Sequence, residues 1–135
     1  MKKVIVTGGS GFIGTNLVNF LIKKKFFVIN IDKQTYSSNK YINFGKKRKN
    51  YQLIKLDINN RTKLINLIKK EKPKAIFNLA AETHVDRSID NPIPFIHTNI
   101  NGTFNLLEVL RQLQKKKINL KLIHVSTDEV FGSVK

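Results

Sequence analysis

The chain has 135 residues, 41% of them hydrophobic and 25% charged, ordinary values for one globular domain that buries about two-thirds of its unfolded surface. It has no cysteine, which excludes a disulfide framework and a thiolate metal site. No apolar run approaches the ~18 residues of a membrane span and no signal-peptide core precedes the first strand, so a cytoplasmic protein is expected.

Lys3-Val4-Ile5-Val6-Thr7 is a β-branched run that stops at Gly8-Gly9-Ser10-Gly11-Phe12-Ile13-Gly14, and apolar residues then recur at helical spacing with Ile13, Leu17 and Leu21 on one face. The pattern reads as strand, tight turn and helix. Gly9, Gly11 and Gly14 satisfy G-x-G-x-x-G, and Gly8, Gly11 and Gly14 satisfy the variant with glycine at every third position. The missing Cβ atoms let the turn tighten, let backbone N–H groups approach a pyrophosphate and bring the helix against the strand. The helix N-terminus then offers unpaired donors and a positive dipole end to a phosphate.

Glycines at this spacing are a weak signal alone; the next segment strengthens it. Phe26-Phe27-Val28-Ile29-Asn30-Ile31 reads as a second buried strand, ended by Asp32 18 residues beyond Gly14, near the ~20 expected of a ribose-binding acid. A carboxylate there accepts hydrogen bonds from ribose hydroxyls and repels a 2′-phosphate, which favours NAD over NADP. Lys33 beside it works against that preference, because a cation tolerates the extra phosphate.

Residues 34–50 are polar and too long for a simple connection, which predicts a partly helical excursion near the adenosine. Tyr51-Gln52-Leu53-Ile54-Lys55-Leu56 reads as a third strand ending at Asp57-Ile58. Asp57 is either an acceptor for the adenine amino group, with Ile58 against the ring, or an ordinary strand-end acid. Asn60 caps a helix carrying Leu64, Ile65 and Ile68 that Pro73 stops. Ala75-Ile76-Phe77-Asn78-Leu79 is a fourth strand, and the small residues Ala80 and Ala81 after it allow a ligand to approach, so 79–81 are expected to line a cofactor cleft.

The polar run 82–88 is dense for a loop, although Asp86 and Arg87 also read as a local ion pair. Asn91-Pro92 opens a long helix. Its stripe of Ile96, Ile100, Phe104, Leu107 and Leu110, widened by Leu106 and Val109, is broad enough for both the sheet and a partner subunit. Leu120-Lys121-Leu122-Ile123-His124-Val125 is a fifth strand that delivers Ser126-Thr127-Asp128-Glu129 to the carboxyl edge.

Strands alternating with helices predict an α/β fold, a Rossmann-type doubly wound parallel sheet, with residues 1–135 one NAD-binding domain. A full sheet of this type has six strands in the order 3-2-1-4-5-6, so a sixth strand is expected to be missing. His84, His97 and His124 lack paired metal spacing, and no metal is expected.

The charge is the unusual term, 25 Lys and Arg against 9 Asp and Glu giving +16, a balance shared by nucleic-acid binders. Its distribution makes nucleic acid the weaker reading. Lys23 to Lys25, Lys69 and Lys70, and Lys115 to Lys117 fall at predicted helix ends, where cations complement the dipole, opposite the ligand edge. Lys, Asn and Ile, abundant together, all have A/T-rich codons, so part of the excess reads as compositional drift. Only Lys46-Lys47-Arg48-Lys49 is expected in a loop on the ligand side.

Thr7-Gly8-Gly9-Ser10-Gly11-Phe12-Ile13-Gly14, Asn30-Ile31-Asp32-Lys33-Gln34-Thr35-Tyr36, Asn78-Leu79-Ala80-Ala81-Glu82-Thr83-His84-Val85-Asp86-Arg87-Ser88 and Ser126-Thr127-Asp128-Glu129-Val130-Phe131-Gly132 together resemble the dTDP-glucose 4,6-dehydratase family of extended short-chain dehydrogenase/reductases. The resemblance implies NAD contacts from Gly8, Gly11, Phe12, Ile13 and Gly14, from Asp32, Lys33, Gln34 and Thr35 on the ribose side, and from Asp57 and Ile58 at adenine. It implies further contacts from Leu79, Ala80, Ala81, Glu82, Thr83 and Thr98. Thr83 and Thr127 would touch the sugar, and Thr127, Asp128 and Glu129 would be catalytic.

In the implied chemistry NAD accepts hydride from C4 of the glucosyl ring and returns it to C6, so the enzyme is a lyase. Glu129 would take the C5 proton that the C4 ketone acidifies, and Asp128 would protonate the C6 hydroxyl that leaves as water. Two adjacent acids on a straight strand point to opposite faces, so the strand must end before them, and their environments must separate their pKa values.

The superfamily's Tyr-x-x-x-Lys pair, in which lysine one helical turn away lowers the tyrosine pKa, does not follow Glu129 here. Tyr36 with Lys40 and Tyr51 with Lys55 fit the spacing, but the first lies in a loop and the second on a strand, where four residues separate side chains by ~13 Å. Phe131 stands where the family usually has tyrosine. The resemblance implies the N-terminal part of such an enzyme, its C-terminal substrate domain missing, homodimeric at full length and inactive alone. The alternatives are a related nucleotide-sugar epimerase or decarboxylase, or a non-catalytic NAD- or RNA-binding module.

Overall fold

Strands β1 (Lys3–Thr7), β2 (Phe27–Asp32), β3 (Tyr51–Lys55), β4 (Ala75–Asn78) and β5 (Lys121–His124) pair in parallel in the order β3-β2-β1-β4-β5. The computed structural model describes residues 1–35, 38 and 49–132, the Glu129 side chain excepted. From β1 the sheet grows one way through β2 and the other way through β4, so the switch point, where α/β sheets bind ligands, lies above the carboxyl ends of β1 and β4. Thr7, the last residue of β1, pairs there with Ile31 and Asn78.

Alternation along the central strands divides the core into two layers. Val4, Val6 and Val28 pack with Val18, Leu21 and Ile22 of α1 (Phe12–Lys23). Ile5, Ile29, Ile31 and Ile76 pack with Leu64 and Ile68 of α2 (Arg61–Glu71) and with Leu106, Val109 and Leu113 of α5 (Thr103–Lys115). Each such burial stabilises by about 1.5–3 kcal/mol, and both faces of β1 and β2 receive it, which explains their unbroken apolar runs. As predicted, Asn60 caps α2, accepting from Lys63 N, and Pro73 follows its end.

Two helix faces differ from the reading of the sequence. In α1 the buried residues are Gly14, Val18, Leu21 and Ile22, while Ile13 is exposed: the core face starts one residue later, at the glycine that touches the turn. The long helical path comprises α4 (Ile93–Phe95), a π-helix (Ile96–Gly102) and α5. Its core face is Gly102, Asn105, Leu106, Val109 and Leu113, and the stripe Ile96, Ile100, Phe104 and Leu107 is turned outward, each 49% to 61% exposed. The wider π turn breaks the 3.6-residue period on which the stripe was traced.

A short helix, α3 (Val85–Asp90), forms within the polar run and exposes Asp86 and Arg87. The lysines at the ends of α1, α2 and α5 are exposed, joined by Lys2, Lys74 and Lys121 at strand starts, so the basic pole lies opposite the ligand edge. Lys49 precedes β3 by two residues and belongs to this pole, not to the ligand side; Lys46, Lys47 and Arg48, the Tyr36–Lys40 pair and most of the excursion after β2 lie outside the described residues. Among the described residues no helix is long and apolar enough to cross a membrane.

A Cβ on Gly14 would press on the backbone, against the Gly8 carbonyl and 2.7 Å from Gly9 Cα, whereas one on Gly102 would meet the flexible end of Ile58, 2.5 Å from Cδ1. Gly14→Ala is therefore expected to lower unfolding free energy by about 1–3 kcal/mol in a urea titration. Gly102→Ala should cost less, because helix propensity returns up to ~1 kcal/mol.

Candidate functional site

The turn after β1 is built by backbone contact. Gly8 has φ +68°, and a Cβ there would lie 2.7 Å from Ala80 N and 2.8 Å from the Leu79 carbonyl carbon, so only glycine fits. Gly8 N donates to Ile31 O (2.9 Å) and Gly11 N to Gly8 O (3.1 Å). Gly11 caps α1 without a side-chain bond and the first turn has no acid. Thr15 N, bonded to Gly11 O at 2.9 Å, makes the first α-type bond, so the amides of Phe12, Ile13 and Gly14 lack intrahelical acceptors. This uncapped, acid-free helix start matches a pyrophosphate.

Asp32, 7% exposed, holds the neighbouring loops: Oδ2 accepts from Ser10 N (2.9 Å), and Oδ1 from Gln34 N (2.7 Å) and Ser38 Oγ (3.0 Å). Beneath the turn, Asn30 Nδ2 donates to Ser10 Oγ and Tyr51 Oη, both at 3.1 Å. Burial pushes the Tyr51 hydroxyl up, the Asn30 bond opposes this and the Asp32 charge adds to it. A proton-abstracting tyrosine needs the reverse, which agrees with discounting the Tyr51–Lys55 spacing.

A cleft opens above this turn. Of the residues singled out in the sequence, it is lined by Gly8 and Gly11, by Asp32, Lys33 and Thr35 after β2, by Asp57 and Ile58 after β3, by Leu79, Ala80, Ala81 and Glu82 after β4, and by Thr98 from the π-helix. Phe12, Ile13, Gly14, Gln34 and Thr83 do not line it: Phe12, Ile13 and Thr83 are exposed, Gly14 is packed on the turn, and Gln34 gives its N–H to Asp32. Ile31, Ser38 and Leu56 line it without having been singled out.

At the far end the Lys33 ammonium lies 3.5 Å from Asp57 Oδ2, while Asp57 Oδ1 accepts from Asn59 N (2.8 Å) and Asn59 Nδ2 (3.1 Å). Partial burial raises the Asp57 carboxyl, but the Asn59 bonds and Lys33 together outweigh it, leaving the pKa below its ordinary value. Ile58 is fixed from behind: Asn105 Nδ2 donates to its carbonyl, Arg61 Nε donates to Asn105 Oδ1 (2.8 Å), and Gly102 backs onto its side chain.

The loop after β4 is held by Asn99 of the π-helix, whose Oδ1 accepts from Glu82 N and whose Nδ2 donates to Glu82 O, both at 2.9 Å. Thr7 Oγ1 donates to Asn78 Oδ1 (2.5 Å), and Asn78 Nδ2 donates to His124 Nδ1 (3.0 Å), crossing three strands at the carboxyl edge. Beyond His124 the strand ends and Asp128–Phe131 form a 3₁₀ turn, which meets the geometric requirement that adjacent acids leave the pleat. Thr127 and Asp128 are exposed there, and the Glu129 side chain lies outside the described residues. Among the described residues no three His, Cys, Asp or Glu gather as a metal site.

A glycine turn under a helix start, at the switch point of a doubly wound sheet and facing a strand-end acid, defines a dinucleotide-binding domain of the Rossmann class. The family model described as GDP-mannose 4,6 dehydratase matches residues 5–135, and the chain belongs to that family. It is 42% identical to dTDP-glucose 4,6-dehydratase of Haemophilus influenzae over 99% of its own length and 42% of that protein's. It is 41% identical to a probable dTDP-glucose 4,6-dehydratase of Sinorhizobium fredii, over 98% and 39%. The chain thus spans about two-fifths of these relatives.

Among solved structures, dTDP-glucose 4,6-dehydratase of Bacillus anthracis in complex with NAD superposes with a TM-score of 0.81 at 38% identity, over 100% of this chain and 40% of that one. UDP-glucose 4-epimerase of Thermotoga maritima gives 0.80 at 29%, over 98% and 41%.

Asn105→Leu leaves the buried Ile58 carbonyl and Arg61 Nε without partners and is expected to cost about 1–3 kcal/mol in a denaturant titration. Because the Asp57 pKa in the fold lies below its unfolded value near ~3.9, the carboxylate stabilises the fold above that value and loses this contribution as pH falls through the depressed pKa. The thermal midpoints of the parent and Asp57→Asn should differ at pH 7 and converge in strong acid.

Proposed function

We propose that this chain supplies the NAD-binding part of a dTDP-glucose 4,6-dehydratase, which converts a nucleotide-activated hexose to its 4-keto-6-deoxy form for deoxysugar synthesis. The observation that carries the reading is one cleft joining the glycine turn, Asp32, Asp57 with Ile58, and the small residues after β4. The similarity to dTDP-glucose 4,6-dehydratases and to one solved with NAD supports it, and a cysteine-free cytoplasmic protein is consistent with it.

The amides of Phe12, Ile13 and Gly14 receive the pyrophosphate, for which Gly8 and Gly11 leave room. Asp32 accepts from the adenosine ribose with Lys33, Gln34 and Thr35 around it, and Asp57 and Ile58 receive the adenine. Residues 79–83 and Thr98 border the rest of the dinucleotide. When bound, NAD supplies the hydride acceptor for C4 of the sugar and the hydride donor for C6. Thr83 and Thr127 position the sugar, Glu129 takes the C5 proton and Asp128 gives a proton to the departing C6 oxygen. With no Tyr-x-x-x-Lys after Glu129, the 135 residues bind NAD without turning over.

The outward stripe Ile93, Ile96, Ile100, Phe104 and Leu107, more apolar than a solvated helix face warrants, packs against a second copy of the chain. Phe104→Glu should then convert a dimer to a monomer in sedimentation velocity; a monomeric parent at high micromolar concentration would contradict this.

By calorimetry the parent should bind NAD at one site per chain, and Gly11→Val, whose side chain fills the cradle, should weaken binding at least about tenfold. A chimera in which residues 1–135 replace the matching part of the Haemophilus influenzae enzyme should convert dTDP-glucose with loss of the C6 hydroxyl, and Asp128→Asn in it should lower kcat by roughly 10² or more. A product that keeps the C6 hydroxyl would defeat the dehydratase reading.

A further inference from the structure

Lys33 follows Asp32 directly, where a cation could meet the 2′-phosphate of NADP. The ammonium is engaged by Asp57: it lies 3.5 Å from Asp57 Oδ2, and both residues line the cleft. Asp57 is the fixed member of the pair: Asn59 N and Nδ2 hold its other oxygen, Asn59 Nδ2 also donates to His97 O (3.0 Å), and Asn105 anchors the carbonyl of the next residue. Lys33 brings only a flexible stem.

We propose that Asp57 sets selectivity for NAD over NADP by holding the Lys33 ammonium away from the adenosine ribose. This deepens the NAD reading of the cleft and rests on it. Among the described residues at the adenosine end, Asp32 and Asp57 are the acids and Lys33 is the one cation, already paired with Asp57; a 2′-phosphate there meets carboxylate that no described cation offsets. Replacing Asp57 by asparagine removes one negative charge and frees Lys33. The Asn59 bonds survive because asparagine keeps an acceptor oxygen at that place. The side chains of Lys33 and Asp57 are 49% and 32% exposed, so the pair adds little to stability. Its effect is on which charge an incoming ligand meets.

The test is calorimetric titration of the 135-residue chain with NAD and with NADP, for the parent, Asp57→Asn, Lys33→Met and the double variant. Asp57→Asn should lower the ratio of the NADP to the NAD dissociation constant about tenfold, chiefly by tightening NADP. The double variant should return most of that change, and 0.5 M salt should shrink it. Lys33→Met alone should leave the ratio within about twofold of the parent, since the parent's cation is already committed to Asp57.

An unchanged ratio in Asp57→Asn overturns the inference, and so does a change that persists without Lys33, which would mean direct repulsion by Asp57. If Lys33→Met alone weakens NADP, the cation already reaches the phosphate and the inference also fails. NAD binding by the parent in any of these cases keeps the proposed function intact. Failure of the parent to bind either dinucleotide removes that function, and this inference with it.

Discussion

Everything at the carboxyl edge depends on three stretches of backbone meeting without side chains between them. Gly8 lies against the Leu79–Ala80 peptide and Gly14 against the Gly8 carbonyl, so β1, the loop after β4 and the start of α1 share one small volume. A Cβ at either glycine would collide with that backbone, and a close-packed interior responds to even one added methyl group. The amides that α1 leaves without intrahelical partners start at this junction. The same contact fixes the height of Ala80 and Ala81 on the opposite wall. Fold and candidate site are one constraint at this point, and the hydrophobic layers on either face of β1 hold it in place.

Amide side chains then set the positions of the loops. Asn30 supports the turn from below, Asn78 links β1 to β5, Asn99 grips both sides of the Glu82 peptide, and Asn105 holds the Ile58 carbonyl. Asn99 and Asn105 hold backbone groups that no sheet or helix pairs, while Asn30 and Asn78 bond neighbouring side chains. The π-helix contributes one of these anchors, Asn99 at the loop after β4, and also sets Gly102 against Ile58. Such segments cluster at functional sites for this reason: the wider turn re-aims side chains within a continuous helix.

Strands and the glycine turn were legible because their signals are local. The β-branched runs of β1 and β2 and the spacing from Gly14 to Asp32 name a parallel sheet and a dinucleotide site directly. The stripe Ile96, Ile100, Phe104 and Leu107 is legible as a pattern, but that it faces away from the sheet is not, since apolar periodicity does not say what covers a face and the π turn shifts phase midway. Ile13 was assigned to the core for a similar reason: the packing face is decided by Gly14, which carries no hydropathy signal. The roles of Asn99 and Asn105 left no trace, as an isolated polar residue in a helix is usually solvated. Lys33 could be placed beside Asp32 by sequence, but the direction of a four-carbon side chain is set by Asp57, a strand away.

The central claim is that the free amides at the start of α1 receive an anionic dinucleotide at the switch point of the sheet. Amide-resolved NMR of the ¹⁵N-labelled chain during titration with NAD tests it most directly. The account predicts saturable shifts at Phe12, Ile13 and Gly14 together with Asp32, Asp57 and Ala80, and none at the lysine-rich pole around Lys24, Lys70 and Lys116. Shifts confined to that pole, or a silent turn under saturating NAD, would contradict it.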